Sequence, residues 1–164
     1  MKIVKTIFKI FLGFLAMILI FIGLFFGHMI FTLMSSGMLF WDSEDVIYEN
    51  WNIRLPQNGE EIYYTDSGAS FHGDGERYSV YEYENKETIN SAFDWKNKKD
   101  EDMEREIKEV LERLKEQDVK ISEEYKIDFN KKYEYIRKTK DDNSELYLIY
   151  IIEENKIYVI EDIY

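Results

Sequence analysis

The pattern of hydrophobic and polar positions divides the chain into two parts. From Ile10 to Met34, 25 residues follow one another without a charge. A helix of this length measures about 37 Å, which is enough to cross a hydrocarbon core of about 30 Å with some tilt. The pattern therefore predicts a transmembrane helix over 10–34, preceded by a cytoplasmic tail at 1–9.

The charges on either side of this helix predict its orientation. Lys2, Lys5 and Lys9 precede it, whereas four acids follow it within 42–49. Because positive charge stays in the cytoplasm, we expect the N-terminus inside the cell and the rest of the chain outside. A cleaved signal peptide is the alternative, since 35–37 consists of small residues. Signal peptides, however, have apolar cores of only about 7–15 residues.

The remaining sequence predicts a connector at 35–58 and an extracytoplasmic domain at 59–164. Short aromatic or alternating runs bounded by turn residues predict five strands. These runs are 61–65, 78–84, 132–139, 145–152 and 156–160. Apolar residues at helical spacing predict an amphipathic helix over 100–117, and 86–95 contains a short helical pattern. The order ββ-α-βββ is typical of the α+β class, with an antiparallel sheet and one main helix packed on it.

Two of the predicted strands are apolar on both faces. They contain the runs 146–152 and 157–160. One helix covers one face of a sheet, so the other face needs the connector, the short helix, the membrane surface or a partner protein. We expect the cover to come from the chain itself, and a partner is the alternative.

Composition narrows the classes of partner. The chain has 164 residues with 21 Lys+Arg and 33 Asp+Glu. The first 41 residues contain three lysines and no acid, so 42–164 carries 18 basic and 33 acidic side chains, a formal charge of −15. That charge repels phosphate backbones, and we expect no nucleic-acid partner. It suits cations or a basic protein, or simply keeps the domain soluble.

The segment from Asp66 to Arg77 is the most distinctive polar stretch. Three glycines stand there beside acids and the one histidine outside the predicted membrane helix. Carboxylates and imidazole can ligate a divalent cation, and glycines let a loop close tightly around an ion. The metal-ligand candidates are Asp66, His72, Asp74 and Glu76. The wider set of candidate binding residues adds Phe71 and Gly73.

A purely structural interpretation of this loop is the alternative, and it is the one we expect. The acids do not follow the order of an EF-hand, and one histidine is too few for a usual zinc site. Gly68, Gly73 and Gly75 would then supply turn conformations, while Asp66 and Asp74 bond to nearby backbone.

No catalytic residue and no cofactor are predicted. His72 with Ser67 or Ser70 lacks the elbow of a hydrolase, and the chain has no phosphate-binding loop. The absence of cysteine excludes disulfides, thiolate metal sites and cysteine nucleophiles. The tyrosines of the first two strands either form an aromatic binding face or, as we expect, pack on the sheet. They are Tyr63, Tyr64, Tyr81 and Tyr83.

The glycine-rich loop also carries a resemblance. Phe71-His72-Gly73-Asp74-Gly75-Glu76 follows Leu55-Pro56 and a tyrosine-rich strand. In this combination, residues 55–85 resemble small membrane-anchored or lipoprotein-like proteins of low-GC Gram-positive bacteria. The resemblance implies a place at the bacterial envelope and no particular activity. The cysteine that carries the lipid in lipoproteins is missing here, which leaves the N-terminal helix as the anchor.

These features predict a non-enzymatic binding module at the outer face of the cell membrane. The expected partners are the lipid bilayer and a membrane or secreted protein, toward which the module would act as an immunity or accessory factor. Cation binding by the loop from Asp66 to Glu76 is the alternative function.

Overall fold

The computed structural model describes residues 2–35, 43–68 and 74–164. The chain forms two compact units, Met1–Asn52 and Ile53–Tyr164. Part of the alternative cleavage site at 35–37 lies outside the described residues.

The first unit contains a long apolar helix, α1 (Lys2–Ser35). Its stretch Phe11–Thr32 has 22 residues and is long and apolar enough to cross a membrane. At about 1.5 Å per residue it measures roughly 33 Å, close to the thickness of the hydrocarbon core. All side chains of this stretch are exposed, so the chain itself supplies no cover for them. The apolar N-terminal helix predicted from the sequence is therefore present.

A second helix, α2 (Ser43–Trp51), lies within the segment predicted to be a connector. Glu44 and Asp45 occupy its first turn, where acidic side chains complement the helix dipole. Ile47 and Trp51 stand one turn apart and are both buried. The segment is thus partly helical, a pattern too short to stand out in the sequence.

The second unit is an α+β domain with a five-stranded antiparallel sheet, as predicted. The spatial order of the strands is β1-β2-β5-β4-β3. The strands are β1 (Gly59–Asp66), β2 (Gly75–Tyr83), β3 (Tyr133–Thr139), β4 (Glu145–Ile151) and β5 (Lys156–Ile163). A β1–β2 hairpin and a β3–β4–β5 meander thus join where β2 pairs with β5.

The helical content exceeds the predicted order ββ-α-βββ. Between β2 and β3 the chain forms α3 (Lys86–Ala92), α4 (Glu101–Glu116) and a single 3₁₀ turn (Glu123–Tyr125). The predicted order, which counts one main helix, is therefore incomplete. Together with α2, the additional elements are all short, and short helices depend on tertiary packing more than on their own sequence.

Helix α4 packs on one face of the sheet, which we call the helix face. Asp100 caps its first turn by accepting a hydrogen bond from the backbone N of Met103 at 3.1 Å. The buried side chains of α4 form the apolar stripe seen in the sequence. They are Met103, Ile107, Val110 and Leu114. Their partners on the strands are chiefly Tyr78, Val80, Tyr147, Ile149, Tyr158 and Ile160.

The opposite face of the sheet is also buried within the chain. Leu148, Tyr150 and Ile157, which point away from α4, have exposed fractions of 0%. On this side, the ring of Trp95 lies 5.7 Å from that of Tyr150, and Ile89 of α3 is fully buried. The chain therefore covers both faces of these strands, as expected, and their apolar character gives no support to a partner docked on the sheet.

Candidate functional site

The predicted binding loop connects β1 to β2, and the structure describes both of its ends. Phe71, His72 and Gly73, three of the candidate binding residues, lie outside the described residues. Asp66 accepts hydrogen bonds from the backbone N of Gly68 and from the Tyr64 hydroxyl, both at 2.8 Å. The first of these bonds is the local side-chain-to-backbone contact that the structural interpretation predicts for Asp66.

Ser67 and Gly75 tie the two ends of the loop together. The Ser67 Oγ accepts a hydrogen bond from the backbone N of Glu76 at 2.9 Å, and the Ser67 backbone N donates to the Glu76 carbonyl at 2.9 Å. Gly75 has a φ of +133°, and a Cβ there would lie 2.3 Å from the Ser67 Oγ. Glycine at 75 is therefore required by both the backbone conformation and the close approach of Ser67.

Glu76 and Asp66 do not point to a common site. Asp66 pairs in register with Arg77, and successive residues of a strand face opposite sides of the sheet. Asp66 consequently lies on the face away from α4, whereas Glu76 lies on the helix face. Among the described residues, no group of three or more histidines, aspartates and glutamates is arranged to hold a metal ion. Glu76 is therefore excluded from the four metal-ligand candidates of the loop, because it binds other partners.

Those partners are Arg113, in the last turn of α4, and Gln117, the C-cap residue of this helix. The Arg113 Nε lies 2.7 Å from the Glu76 Oε1, and the Gln117 Nε2 donates to the Glu76 Oε2 at 3.1 Å. The Arg113 Nη2 reaches the Asp162 Oδ2 of β5 at 2.5 Å. Glu76 and Asp162 stand directly opposite each other on β2 and β5. Two like charges in that position repel each other, and Arg113 compensates both.

A second arginine compensates the next acid in the same row across the sheet. Glu145 of β4 stands opposite Asp162 and forms an ion pair with Arg137 of β3. Arg137 also lies 2.9 Å from Glu106 of α4, and its guanidinium lies 5.5 Å from the ring centroid of Tyr147. Three carboxylates thus form a row across β2, β5 and β4, and an arginine holds each end of the row.

These contacts shift the ionisation of the carboxylates. Burial alone would raise the pKa of Glu76, but hydrogen bonds from Arg113 and Gln117 outweigh it and hold the pKa below its usual value. For Glu145, burial likewise acts to raise the pKa, while the Tyr147 hydroxyl and Arg137 lower it more. Both side chains are therefore fully ionised at neutral pH.

The three carboxylates of the row line two adjoining depressions of the surface, which together we call the Arg113 cleft. One has a volume of about 370 Å³ and reaches the loop ends at Ser67, Asp74 and Gly75. The other, of about 450 Å³, extends along Arg137 and the β3–β4 turn. Arg113, Asp162 and Tyr164 line both. The cleft joins the predicted loop to a charged surface that the sequence did not predict.

The tyrosines of the first two strands do not form a shared exposed surface. Tyr81 and Tyr83 are buried, with exposed fractions of 1% and 3%. Tyr63 stacks on Tyr125 at 4.6 Å between ring centroids, on the helix face. Only Tyr64 of the four is exposed. Packing on the sheet, the expected role, accounts for the other three.

Comparison with family models, with curated proteins and with solved structures finds no match for this chain.

Proposed function

We propose that this chain is a single-pass membrane protein whose α+β domain lies outside the cytoplasm and binds another protein there. The observation that carries the proposal is the stretch Phe11–Thr32 of α1, which has a mean hydropathy of 2.5, contains no acid, lysine or arginine, and has no cover from the chain. A lipid bilayer is the medium that would cover such a helix, because the helix satisfies its own backbone polar groups. The lysines before it and the acids after it favour an outward-facing domain.

The chemistry of the Arg113 cleft supports binding in preference to catalysis. A carboxylate that acts as general acid or base near neutral pH needs a raised pKa, as in an apolar pocket. Glu76 and Glu145 have lowered pKa values and are held by arginines. Fixed charges of this kind suit recognition, since they give a surface a defined pattern of donors and acceptors.

The charge of the cleft favours a basic partner. Its two depressions are lined by seven acids, Asp74, Glu76, Glu106, Glu109, Asp142, Glu145 and Asp162, and by two arginines, Arg113 and Arg137. Residues 42–164 carry a formal charge of −15, and a field of that sign accelerates encounter with a positively charged surface. A secreted or membrane protein with a basic patch is the partner class that this arrangement fits, in the manner of an immunity or accessory factor.

The topology is tested with single cysteines, because the natural chain contains none. Asn97→Cys places a thiol in the domain, and Thr6→Cys places one before the apolar stretch. A membrane-impermeant maleimide applied to intact cells is expected to label Asn97→Cys, whereas Thr6→Cys reacts only after the cells are permeabilised. The reverse pattern would exclude the proposed orientation. Recovery of Asn97→Cys in the medium, without residues 1–35, would show cleavage instead of anchoring.

The binding role is tested by cross-linking in native cells, followed by quantitative mass spectrometry of the proteins held by the full-length chain. Replacement of Phe71, His72 and Asp74 by alanine is expected to remove a specific companion. Glu153→Ala is the matched control, because the β4–β5 turn lies at the opposite end of the sheet. A companion lost equally in the control, or no companion at all, would contradict a partner site at the loop.

A further inference from the structure

A second surface, on the other side of α4 from Arg113, has a different character. The segment after α4 runs back along the helix and leaves a groove with a volume of about 650 Å³. Its floor is aliphatic and is made by Leu111, Val119, Ile121 and Ile127. Each of these side chains packs against the domain core on one side and is only partly buried. The groove therefore offers apolar surface that the chain itself leaves partly uncovered.

The rim of this groove is basic. Its lysines are Lys108, Lys115, Lys120 and Lys126, and all four are exposed. Glu112 is the one acid among the lining residues. A local excess of positive charge is unusual in a domain whose residues 53–164 carry 18 basic against 29 acidic side chains. We call the four-lysine rim with its aliphatic floor the lysine groove.

The lysines are held loosely enough to accept other anions. Lys115 pairs with Glu112 at 2.9 Å and Lys126 pairs with Glu123, both within exposed i,i+3 contacts. Such surface pairs contribute little to stability and exchange readily. The Lys108 ammonium lies 5.5 Å from the ring centroid of Phe129. A ligand carboxylate can therefore take up these ammonium groups without the loss of a buried ion pair.

From this combination we infer that the lysine groove is a docking site for an acidic amphipathic peptide segment of a partner protein. Aliphatic or aromatic side chains of the segment cover the floor, and carboxylates on both flanks meet the lysines. The lysines lie on α4 and on the segment after it, so they surround the floor on more than one side. A fatty acid offers one carboxylate at one end, whereas a flanked apolar stripe uses the whole rim.

The inference does not depend on the proposed function, because it concerns a different surface and holds whichever way the domain faces. Its long-range electrostatics also differ. The net charge of the domain opposes the approach of an acidic peptide, while the rim attracts it only within about a Debye length, which is near 8–10 Å at physiological salt. The groove therefore favours binding of a peptide whose apolar and acidic residues match its floor and rim, and it does not favour binding of acidic molecules in general.

The test uses the full-length chain in nanodiscs of phosphatidylcholine and measures fluorescence anisotropy of a labelled synthetic peptide. The probe is a short peptide with leucines at helical spacing and glutamates on both flanks. We expect saturable binding that weakens with added salt. A peptide with lysine in place of glutamate, and a scrambled peptide of the same composition, are expected not to bind. Equal binding of all three would overturn the inference, as would absence of binding by the acidic probe.

Two variants of the chain locate the site. Lys120→Glu reverses one exposed rim charge and is expected to weaken the acidic peptide about tenfold, which corresponds to about 1.4 kcal/mol. Lys98→Glu makes the same change at an exposed lysine outside the groove and is expected to leave the affinity unchanged. Equal losses in the two variants would show non-specific attraction.

A substitution in the floor separates the contribution of apolar contact to peptide affinity from that of charge. Ile121→Ser keeps every charge and is expected to weaken the peptide severalfold, because the partly exposed aliphatic floor loses apolar area. Thermal unfolding of each variant checks that the domain remains folded. Sedimentation of the chain without peptide addresses the other occupant: a dimer that Lys120→Glu converts to monomer would assign the groove to a second copy and overturn the peptide site.

Discussion

Helices α1 and α4 place their apolar side chains in different surroundings. α1 (34 residues) is predominantly apolar over Phe11–Thr32, and none of that surface is covered by the chain. α4 (16 residues) places one stripe against the sheet, with exposed fractions of 0–2% for its four buried apolar side chains, and exposes most of its charged side chains. The apolar surface of α4 is thus covered by the sheet, whereas that of α1 needs cover from outside the chain. The fold stabilises α4, whereas α1 would be stabilised by lipid in the proposed location, so we expect the same type of substitution to have different consequences in each.

The largest difference is expected when a core side chain is shortened. Ile107→Ala leaves a cavity between α4 and the sheet, and we expect the free energy of unfolding to fall by about 2–5 kcal/mol. Phe21→Ala removes more atoms from α1, yet it is expected to leave the unfolding of the domain unchanged, since Phe21 is exposed. Urea unfolding of both variants in detergent, followed by tryptophan fluorescence, measures the contrast. Similar losses in the two would contradict it.

A charge placed in α1 is the converse change. Leu19→Arg puts a guanidinium near the middle of the apolar stretch, at a cost of about 2.5–3.5 kcal/mol for membrane insertion. The fraction of the chain that resists carbonate extraction from membranes is expected to fall, while the thermal unfolding of the domain stays the same. Leu19→Phe, which preserves the apolar surface, is the control. Unchanged extraction of Leu19→Arg would show that α1 does not require lipid.

Two arginines of α4, one partly buried and one exposed, are expected to contribute differently to stability. Arg113→Met leaves Glu76 and Asp162 facing each other without a counter-charge, and we expect a loss of about 2–3 kcal/mol. Arg105 instead pairs with Asp102 at the surface, with both side chains more than half exposed. Arg105→Met is therefore expected to cost less than about 0.5 kcal/mol. Chemical unfolding of the two variants decides whether the Arg113 pairs, or simply the positive charge of the helix, stabilises the domain.

The smallest effect is expected from pH. The pKa values of Glu76 and Glu145 lie below their ordinary value of 4.5 in the folded domain, so folding favours the ionised forms. Their contribution to stability is complete above pH 4.5 and is lost as the pH falls through the lowered values. The free energy of unfolding, measured from pH 7 to pH 3, should decline only in the acidic part of this range. In Arg113→Met the decline should be shallower, and an identical acid limb would contradict the assignment to Glu76.

The sequence predicted those parts of the fold that depend on local pattern. The alternation along 132–139 is visible in the sequence because it repeats over several residue pairs. The stripe of α4 is visible because it repeats over several helical turns. Helix α2 was not predicted from the sequence, because only Ile47 and Trp51 among its nine residues form the buried stripe. The pairing of β2 with β5 could not be predicted, because many residues separate the two strands and alternation does not specify a neighbour.

The candidate site was predictable only at its loop. Glycines and polar residues signal a special turn, and Asp66, Gly68 and Gly75 show the expected turn geometry. The charged row behind it joins Glu76 to Arg113 and Asp162. Arg113 lies 37 residues after Glu76 along the chain, and Asp162 lies 49 residues after Arg113. The register of β2 against β5 and the packing of α4 on the sheet bring these side chains together. In a sequence with 33 acids no single carboxylate stands out beforehand.

The central position of β5 sets the order of events during synthesis. β5 lies between β2 and β4, so the hairpin and the meander remain separate until residues 156–163 have been made. At about 5–20 residues per second, the 80 residues from Tyr83 to Ile163 require roughly 4–16 s. Throughout that time one edge of β2 is open and the domain cannot close. Under the proposed topology, the chain would stay unfolded long enough to cross the membrane, and it would become compact only after β5 has been added to the sheet.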